Sequence, residues 1–397
     1  MPAISYSELK RQYELNGPQR TVRHLSEAIR TKALRPEDFS LTDLAEALVP
    51  NGRDWVRFIT PGRKSSMDVI NIMEGVVDTS SFSNITGQLV FSAFLDEYRS
   101  PDFMFSALVK EIPTNFPDGE KIPGVGGLGN VSEQVDEGQP YQQFGVSEDY
   151  IETPAPKKYG FIVPVTREAI AFDRTNLVLK RARDGGYYAG YRKEVAIIDT
   201  FIGKTASSDN TKYKWKGTSY APYQLTTPWI NQKASNELTD YTDIDNALQL
   251  FADMTDPNTS LPILVTPTHL FVEPVNTYAA RRIVNSAEIR QGAVSATVPL
   301  TLSANPVDNY TIVASAVLAA RHASTAGGDT SIATKTWYLG DPKRAFAYMV
   351  NWGLETMQAP PNSEAEFTSD IVARFKVSER GTPAVLDPRY MVKSLVA

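Results

Sequence analysis

The chain has 397 residues, a formal net charge of -6 and no cysteine, with 42% hydrophobic and 10% aromatic residues. This length and composition predict an ordered globular protein with a large core and two or more structural units. The missing cysteines exclude disulfides, thiolate metal sites and cysteine nucleophiles, and the small negative charge excludes a basic excess over the whole surface.

The N-terminal region predicts short amphipathic helices. It has no apolar run of the signal-peptide type, and no stretch of the chain is long and apolar enough to predict a membrane span. Val22, Leu25 and Ile29 fall on one helical face, and Ser40 with Asp43 resembles a capping pair before a second helix. Helices this short need the body of the protein or a neighbouring subunit for stability.

A long polar insertion follows a predicted helix that ends near Tyr98. Residues 118–159 are dense in Gly, Pro and acidic residues, with strand-like runs at 149–153 and 160–165. This pattern predicts a two-stranded finger that has little core of its own and needs a partner surface to become ordered.

The insertion contains a glycine motif that resembles a dinucleotide-binding fingerprint. Gly124, Gly126 and Gly129 spell G-x-G-x-x-G, but that motif requires a buried strand before it and a helix after it, and the flanking sequence predicts neither. We therefore assign these residues, with Gly127, to the hinge of a loop and expect no cofactor.

The strongest helical pattern begins at Thr166 and continues without proline to Ile202, a length of roughly 37 residues or about 55 Å. We expect Gly185-Gly186 to bend this helix. Its second half carries a stripe of apolar and aromatic residues with three- and four-residue spacing, which predicts a buried face: Tyr188, Tyr191, Val195, Ile198 and Ile202.

The same helix carries an excess of basic residues: Arg174, Lys180, Arg181, Arg183, Arg192 and Lys193. Asp173, Asp184 and Glu194 offset part of that charge. Two interpretations remain open, since the basic residues either face a polyanion or form a solvated, salt-bridged surface.

An alternation of helical and strand-like segments occupies residues 239–358. Its last part predicts a hairpin whose tight turn contains Gly340, Asp341 and Pro342. The tail after residue 368 predicts two strands around the sequence ERGTP (379–383) and a short terminal piece.

No arrangement of residues predicts an enzyme. Gly203-Lys204-Thr205 resembles the end of a phosphate-binding loop, but Ile198 stands where the earlier glycine is required, so Gly203 is interpreted as a helix C-cap. The three histidines, His24, His269 and His322, lack a metal-ligand spacing and are interpreted as structural or surface residues. We expect no catalytic residue, metal or cofactor.

Several segments together resemble the major capsid proteins of tailed double-stranded DNA bacteriophages. They include FSNITGQLVFSAFLDEY (82–98), EDYIETPAPKKYGFIVPVTREAIAFDRTNLVL (148–179) and NSEAEFTSDIVARFKVSERGTPAVLDPRY (362–390). In the last segment, Arg380 and the Val-x-x-Pro step at 385–388 are similar to the closing strands of that family.

The resemblance implies an α+β capsid fold made of six segments: an N-terminal arm (1–81), a first part of the peripheral domain (82–117), an extended β-hairpin loop (118–163), the spine helix of the peripheral domain (164–206), an axial α/β domain (207–362) and the return strands of the peripheral domain (363–397). Some family members form a covalent cross-link through a lysine in the extended loop. Lys157 and Lys158 lie at the base of the loop, so we predict no cross-link.

The function that the resemblance implies is structural. The chain would self-assemble, as hexamers and pentamers, into the icosahedral head of a phage, with scaffolding and portal proteins as partners and a cement protein as a further one. It would contact packaged double-stranded DNA non-specifically through the basic residues of the long helix and through Arg281 and Arg282. We expect it in the virion, and in the host cytoplasm during assembly, without a membrane partner. An encapsulin-like nanocompartment shell is the alternative, and an enzyme is the third hypothesis.

Overall fold

The computed structural model describes residues 11, 15, 18–31, 40–48, 80–123, 149–166, 172, 175–204, 211–291, 301–307, 309–325, 335–359 and 371–395. Its α-helices are α1 (Pro18–Arg30), α2 (Leu41–Leu48), α3 (Ser80–Tyr98), α4 (Met104–Leu108), α5 (Thr175–Ile202), α6 (Tyr241–Ala252), α7 (Thr277–Val284), α8 (Ala316–Thr325) and α9 (Pro342–Ala345).

The strands are β1 (Lys110–Pro113), β2 (Lys121–Pro123), β3 (Tyr150–Glu152), β4 (Lys157–Thr166), β5 (Tyr213–Trp215), β6 (Thr218–Tyr220), β7 (Gln232–Ala234), β8 (His269–Val272), β9 (Glu288–Gln291), β10 (Thr301–Ala304), β11 (Thr311–Ala314), β12 (Trp337–Gly340), β13 (Phe346–Gln358), β14 (Ile371–Val385) and β15 (Met391–Leu395). This mixture of helices and separate sheets confirms the predicted α+β class.

The chain divides into two compact units. Unit 1 comprises Met1–Phe103, Lys158–Arg192 and Trp352–Arg380, and unit 2 comprises Met104–Lys157, Lys193–Asn351 and Gly381–Ala397. The six segment boundaries drawn from the sequence stay a prediction.

In unit 1, helices α1 and α2 pack on α3. Leu25 of α1, Leu44 of α2 and Phe94 of α3 are all buried, and the burial of Leu25 and Ile29 confirms the predicted apolar face of α1. The N-terminal helices are therefore stabilised by tertiary packing rather than by propensity alone.

In unit 2, a five-stranded sheet has the order β11-β8-β12-β15-β7. Alternate residues of its strands point to opposite faces. On one face, Leu270, Leu339 and Val392 join a core with residues of α6 and α7. On the other face, Phe271 and Tyr338 join a second core with the end of α5. The sheet is thus covered on both faces by helices.

Another sheet has the order β1-β13-β14-β4, and its two central strands have 13 and 15 residues. Within unit 2, β1 pairs in parallel with β13, with Ile112 opposite Met349. Within unit 1, Gly160 of β4 lies against β14, where a Cβ at Gly160 would come within 2.6 Å of the Val377 carbonyl oxygen.

Three sequence-based predictions of elements are wrong. Thr166 is the last residue of β4 rather than the start of the long helix, and the described helix begins at Thr175. The segment around Gly340 is not a hairpin, because α9 separates β12 from β13 and the two strands belong to different sheets. The tail around ERGTP is one continuous strand, β14, rather than two.

The predicted apolar stripe of the long helix is correct only near its C-terminal end. Ile198 and Ile202 are buried, but Tyr188 is 68% exposed. The buried positions in the middle of the helix include Gly186 and Gly190, so small residues rather than the tyrosine face the core there. Among the described residues, no helix has the length and apolar character to span a membrane.

Candidate assembly surfaces

In unit 1, two glycines bring α5 close to the backbone around α3. A Cβ at Gly186 would lie 2.3 Å from the Phe94 carbonyl oxygen, and one at Gly190 would lie 2.7 Å from the Tyr98 carbonyl oxygen. The helix is continuous through Gly185 and Gly186. Gly186 and Gly190 therefore serve close packing, and the bend expected at Gly185-Gly186 stays a prediction.

A partly buried ion pair joins α5 to β14 in the same unit. The Arg192 guanidinium pairs with the Glu379 carboxylate, which also accepts a hydrogen bond from the Tyr98 hydroxyl at 2.5 Å. The guanidinium carbon lies 3.4 Å from the centre of the Tyr159 ring, a cation–π contact. Arg192 is thus bound on two sides within its own subunit.

Next to this ion pair lies a cavity of about 340 Å³. Its lining is mostly apolar and includes Phe94, Phe161, Leu354 and Val377, with Tyr188 among the lining residues. A lining of this kind suits an apolar side chain better than a charged ligand.

In unit 2, the root of the predicted extended loop is a small antiparallel sheet. β2 pairs with β3, with Ile122 opposite Ile151, and β3 continues through β5 to β6. The backbone N–H of Glu120 donates to Oγ1 of Thr153 at 2.8 Å. The strand-like runs predicted at 149–153 and 160–165 are confirmed, and the partner strands β5 and β6 were not predicted.

The loop beyond this root lies outside the described residues, and with it the four predicted hinge residues Gly124, Gly126, Gly127 and Gly129. Their hinge role stays a prediction.

The second part of α5 supplies a buried carboxylate that caps α4. Glu194 accepts hydrogen bonds from the backbone N–H of Phe105 at 2.7 Å and of Ser106 at 2.8 Å, and from the Ser106 hydroxyl at 2.7 Å. The first N–H groups of a helix have no intrahelical acceptor, so a carboxylate satisfies them well. Burial raises the pKa of Glu194, and the hydrogen bonds from Ser106 and Phe105 partly offset that rise.

The basic residues predicted to face the lumen do not share one environment. Arg174 lies outside the described residues, whereas Lys180 and Arg181 are exposed and Arg183 is half-buried. Arg192 pairs with Glu379, and the Lys193 ammonium lies 2.6 Å from the Glu111 carboxylate. Arg192 and Lys193 thus form ion pairs within the subunit, and the contact of the six basic residues with DNA stays a prediction.

A buried hydrogen-bonded chain crosses the second core of unit 2. His322 Nδ1 lies 2.7 Å from Glu273 Oε1, and His322 Nε2 lies 2.7 Å from the Tyr338 hydroxyl. All three residues are buried. Burial lowers the pKa of His322, while the hydrogen bond with Glu273 and its charge oppose that change. The prediction that this histidine is structural agrees with its satisfied, inaccessible position.

A buried ion pair lies near the C-terminus. The Arg389 guanidinium donates two hydrogen bonds to the Asp387 carboxylate, at 2.8 and 2.6 Å, and lies 3.9 Å from Asp256. Its carbon atom lies 5.5 Å from the centre of the Trp229 ring. Sequence reasoning missed this arrangement, and the only local signal is the Asp-Pro-Arg step in which Asp387 also caps a short 3-10 helix.

The two described residues of the segment 203–205, Gly203 and Lys204, have a structural role at the end of α5. Gly203 has φ of +72° and follows the last residue of α5. Its N–H donates to Thr200 and that of Lys204 donates to Asp199, which is the Schellman pattern of a helix C-terminus. The C-cap prediction is confirmed. Across the described ranges, no group of His, Asp or Glu side chains could hold a metal ion.

Comparison with solved structures shows similarity to capsids and related shells. The capsid of cyanophage P-SCSP1u has 16% identity and a TM-score of 0.43, over 73% of this chain and 86% of that one. The mature capsid of bacteriophage PhiM1 has 14% identity and a TM-score of 0.40, over 74% and 87%. The holo-SrpI encapsulin complex of Synechococcus elongatus has 13% identity and a TM-score of 0.38, over 75% and 87%.

A comparison with curated proteins gave no match. The family model described as phage capsid protein matches residues 150–394. That range includes α5, β14 and the five-stranded sheet of unit 2 almost to its end, and it exceeds half of the chain. The chain therefore belongs to the phage capsid protein family.

Proposed function

We propose that this chain is the major capsid protein of a tailed phage and assembles, as hexamers and pentamers, into an icosahedral head that encloses double-stranded DNA. The observation that carries the proposal is the match of the phage capsid family model over residues 150–394. Assembly proceeds through many weak contacts between identical subunits, which together stabilise a closed particle.

Features of the described residues support a structural role. Two residues weighed as candidates for chemistry have structural roles: Gly203 ends a helix, and His322 is hydrogen-bonded to Glu273 and Tyr338 in a buried position. Large apolar side chains are exposed on unit 2, including Leu264, Val275 and Tyr278. Exposed apolar groups of this kind suit contact with neighbouring subunits.

The extended loop contributes to assembly by crossing to a neighbour. Its root is held in unit 2, because β3 pairs with β5 and β5 pairs with β6. Its glycines give hinge freedom, and its polar surface gains partners by lying on an adjacent subunit. Scaffolding, portal and cement proteins are the further partners that this function calls for.

Contact with DNA is electrostatic and independent of sequence. Lys180 and Arg181 on α5 are exposed basic residues that can reach the phosphates. Because such contacts release counterions, DNA retention should fall as the salt concentration rises.

The test is to express the full chain and a deletion variant without residues 124–129. We expect the full chain to form capsomer rings or closed shells in negative-stain electron micrographs, and the deletion to leave a folded subunit that assembles poorly. A matched control deletes six residues of another glycine-containing segment, 326–331, and should assemble like the full chain.

Normal particles from the 124–129 deletion would contradict the role of the loop. The content of the particles separates the two container functions, because nuclease-protected DNA supports a phage head and a protein cargo without DNA supports a nanocompartment. A small discrete oligomer without rings or shells would refute both.

A further inference from the structure

Helix α7 and the 3-10 turn before it present an exposed face, here named the α7 face, made of Val275, Tyr278, Arg281 and Arg282. The exposed fractions are 71% for Val275 and 81% for Tyr278. Residues three and four apart lie on the same side of a helix, so these four side chains are neighbours. The opposite side of α7 is buried against the sheet through Ala280, Ile283 and Val284.

The composition of the α7 face is typical of a protein interface. Tyrosine and arginine are enriched in interfaces and among the residues that contribute most to binding. Within the described part of the chain, neither Arg281 nor Arg282 forms an ion pair, and both are exposed. Both arginines lie in the last turn of α7, where their positive charge interacts favourably with the helix dipole. The dipole does not explain why the adjoining valine and tyrosine are exposed.

Helix α6 and its flanks carry the opposite charge. Residues 237–253 contain five carboxylates and no lysine or arginine. Asp245 and Asp253, with Gln249 between them, are exposed and follow a four-residue spacing, and they define the α6 face. The other three acids of this segment are left out of the α6 face, because Asp240 and Asp243 form the capping box of α6 and Glu237 pairs with Lys335.

The two faces lie toward opposite ends of one layer of unit 2. Both helices cover the same face of the five-stranded sheet and share its core. Helix α7 packs on β11, an edge strand, and α6 packs on β15, next to the other edge strand β7. A single subunit thus presents a basic, partly apolar surface at one end of this layer and an acidic surface at the other.

We propose that the α7 face of one copy binds the α6 face of the next copy, so that subunits associate head to tail in a ring. A contact between two different faces of identical subunits closes into a ring when the rotation allows it, whereas a two-fold contact cannot form one. Opposite charges favour the contact between an α7 face and an α6 face, and like charges disfavour the contact of two α7 faces or two α6 faces. This inference rests on the proposed function and names the surfaces that build its capsomers.

The test compares four variants with the full-length chain: Arg281→Glu with Arg282→Glu, Asp245→Arg with Asp253→Arg, the combination of all four changes, and the charge-conserving control Arg281→Lys with Arg282→Lys. Ring formation is measured by sedimentation velocity over a range of protein concentrations. Each charge reversal should raise the concentration needed for half-assembly at least about tenfold, and the combination should restore it to within roughly threefold of the original. The lysine control should assemble normally.

A further variant, Tyr278→Ala, keeps every charge and should also weaken assembly. Because that side chain is 81% exposed, its truncation should leave the thermal unfolding of the subunit unchanged. Circular dichroism checks the fold of each variant.

Failure of the unmodified chain to form rings or shells would refute the proposed function itself. If the unmodified chain assembles and both charge reversals assemble equally well, only this inference is overturned. Loss of assembly in each reversal without recovery in the combination would also overturn the pairing. Reversals that assemble normally but retain less DNA would assign the α7 face to nucleic acid instead.

Discussion

The close approach of α5 to α3 yields a sharp prediction for Gly186→Ala. Replacing a helical glycine with alanine usually stabilises a protein by about 0.5–1 kcal/mol. Here the new Cβ would lie 2.3 Å from the Phe94 carbonyl oxygen, well inside the 3.0 Å that real Cβ contacts respect. The backbone must therefore move, and overpacking of this kind costs roughly 1–3 kcal/mol.

The neighbouring substitution Gly185→Ala is the matched control. Its Cβ would meet the Phe161 ring at 3.1 Å, a side chain that can shift by a few tenths of an ångström. Both substitutions change helix propensity equally, so their difference isolates the clash with the Phe94 backbone. In urea unfolding of unassembled subunits, followed by circular dichroism, Gly186→Ala should be at least about 1 kcal/mol less stable than Gly185→Ala. Equal or greater stability of Gly186→Ala would refute the packing argument.

Four other predictions concern buried groups and the end of α5. Burial lowers the pKa of Lys393 to about 8 from 10.5, so the free energy of unfolding of the wild-type protein should rise by about 3 kcal/mol as pH increases from 8 to 10.5. Lys393→Met should abolish that rise in urea titrations at several pH values. Burial lowers the pKa of His322, so the neutral imidazole is favoured in the folded state and the free energy of unfolding should fall as pH drops below 6.5. His322→Ala should remove this pH dependence, and because it leaves Glu273 without its hydrogen-bond partner it should lower the free energy of unfolding by about 2–3 kcal/mol at neutral pH in the same assay. Glu194→Gln should lose about 2–3 kcal/mol in urea unfolding, because the amide has one acceptor atom where the carboxylate has two, and a loss below 0.5 kcal/mol would contradict the capping role. Gly203→Ala places a side chain at φ of +72° and should lose about 1 kcal/mol in thermal unfolding, whereas an unchanged midpoint would argue against the C-cap geometry.

Local patterns predicted the elements whose signals are local. The burial of Leu25 and Ile29, the helix that ends at Tyr98 and the C-cap at Gly203 depend on spacing, capping and glycine chemistry within a few residues. These features follow from the chain itself, so a single sequence contains enough information to place them.

The errors arose where distant residues decide the outcome. Thr166 has a good capping side chain, but β4 continues through it in a sheet with β14. Tyr188 fits an apolar stripe, but the core side of α5 at that level admits only glycine because the Phe94 backbone comes so close. The sequence predicted two strands around ERGTP, yet pairing with distant strands keeps β14 continuous there.

The candidate surfaces depend even more on tertiary structure. Spacing identifies Arg192 as one of several basic residues on a helix, but only the fold brings it to Glu379 and Tyr159. The opposite placement of the α6 and α7 faces likewise follows from strand order, which no local pattern predicts.

The most direct test of the central claim is electron cryo-microscopy of particles formed by the purified full-length chain. The account predicts closed shells of uniform diameter in which this single chain supplies both five-fold and six-fold clusters. A population of monomers or small discrete oligomers, under conditions that keep the subunit folded and concentrated, would contradict it.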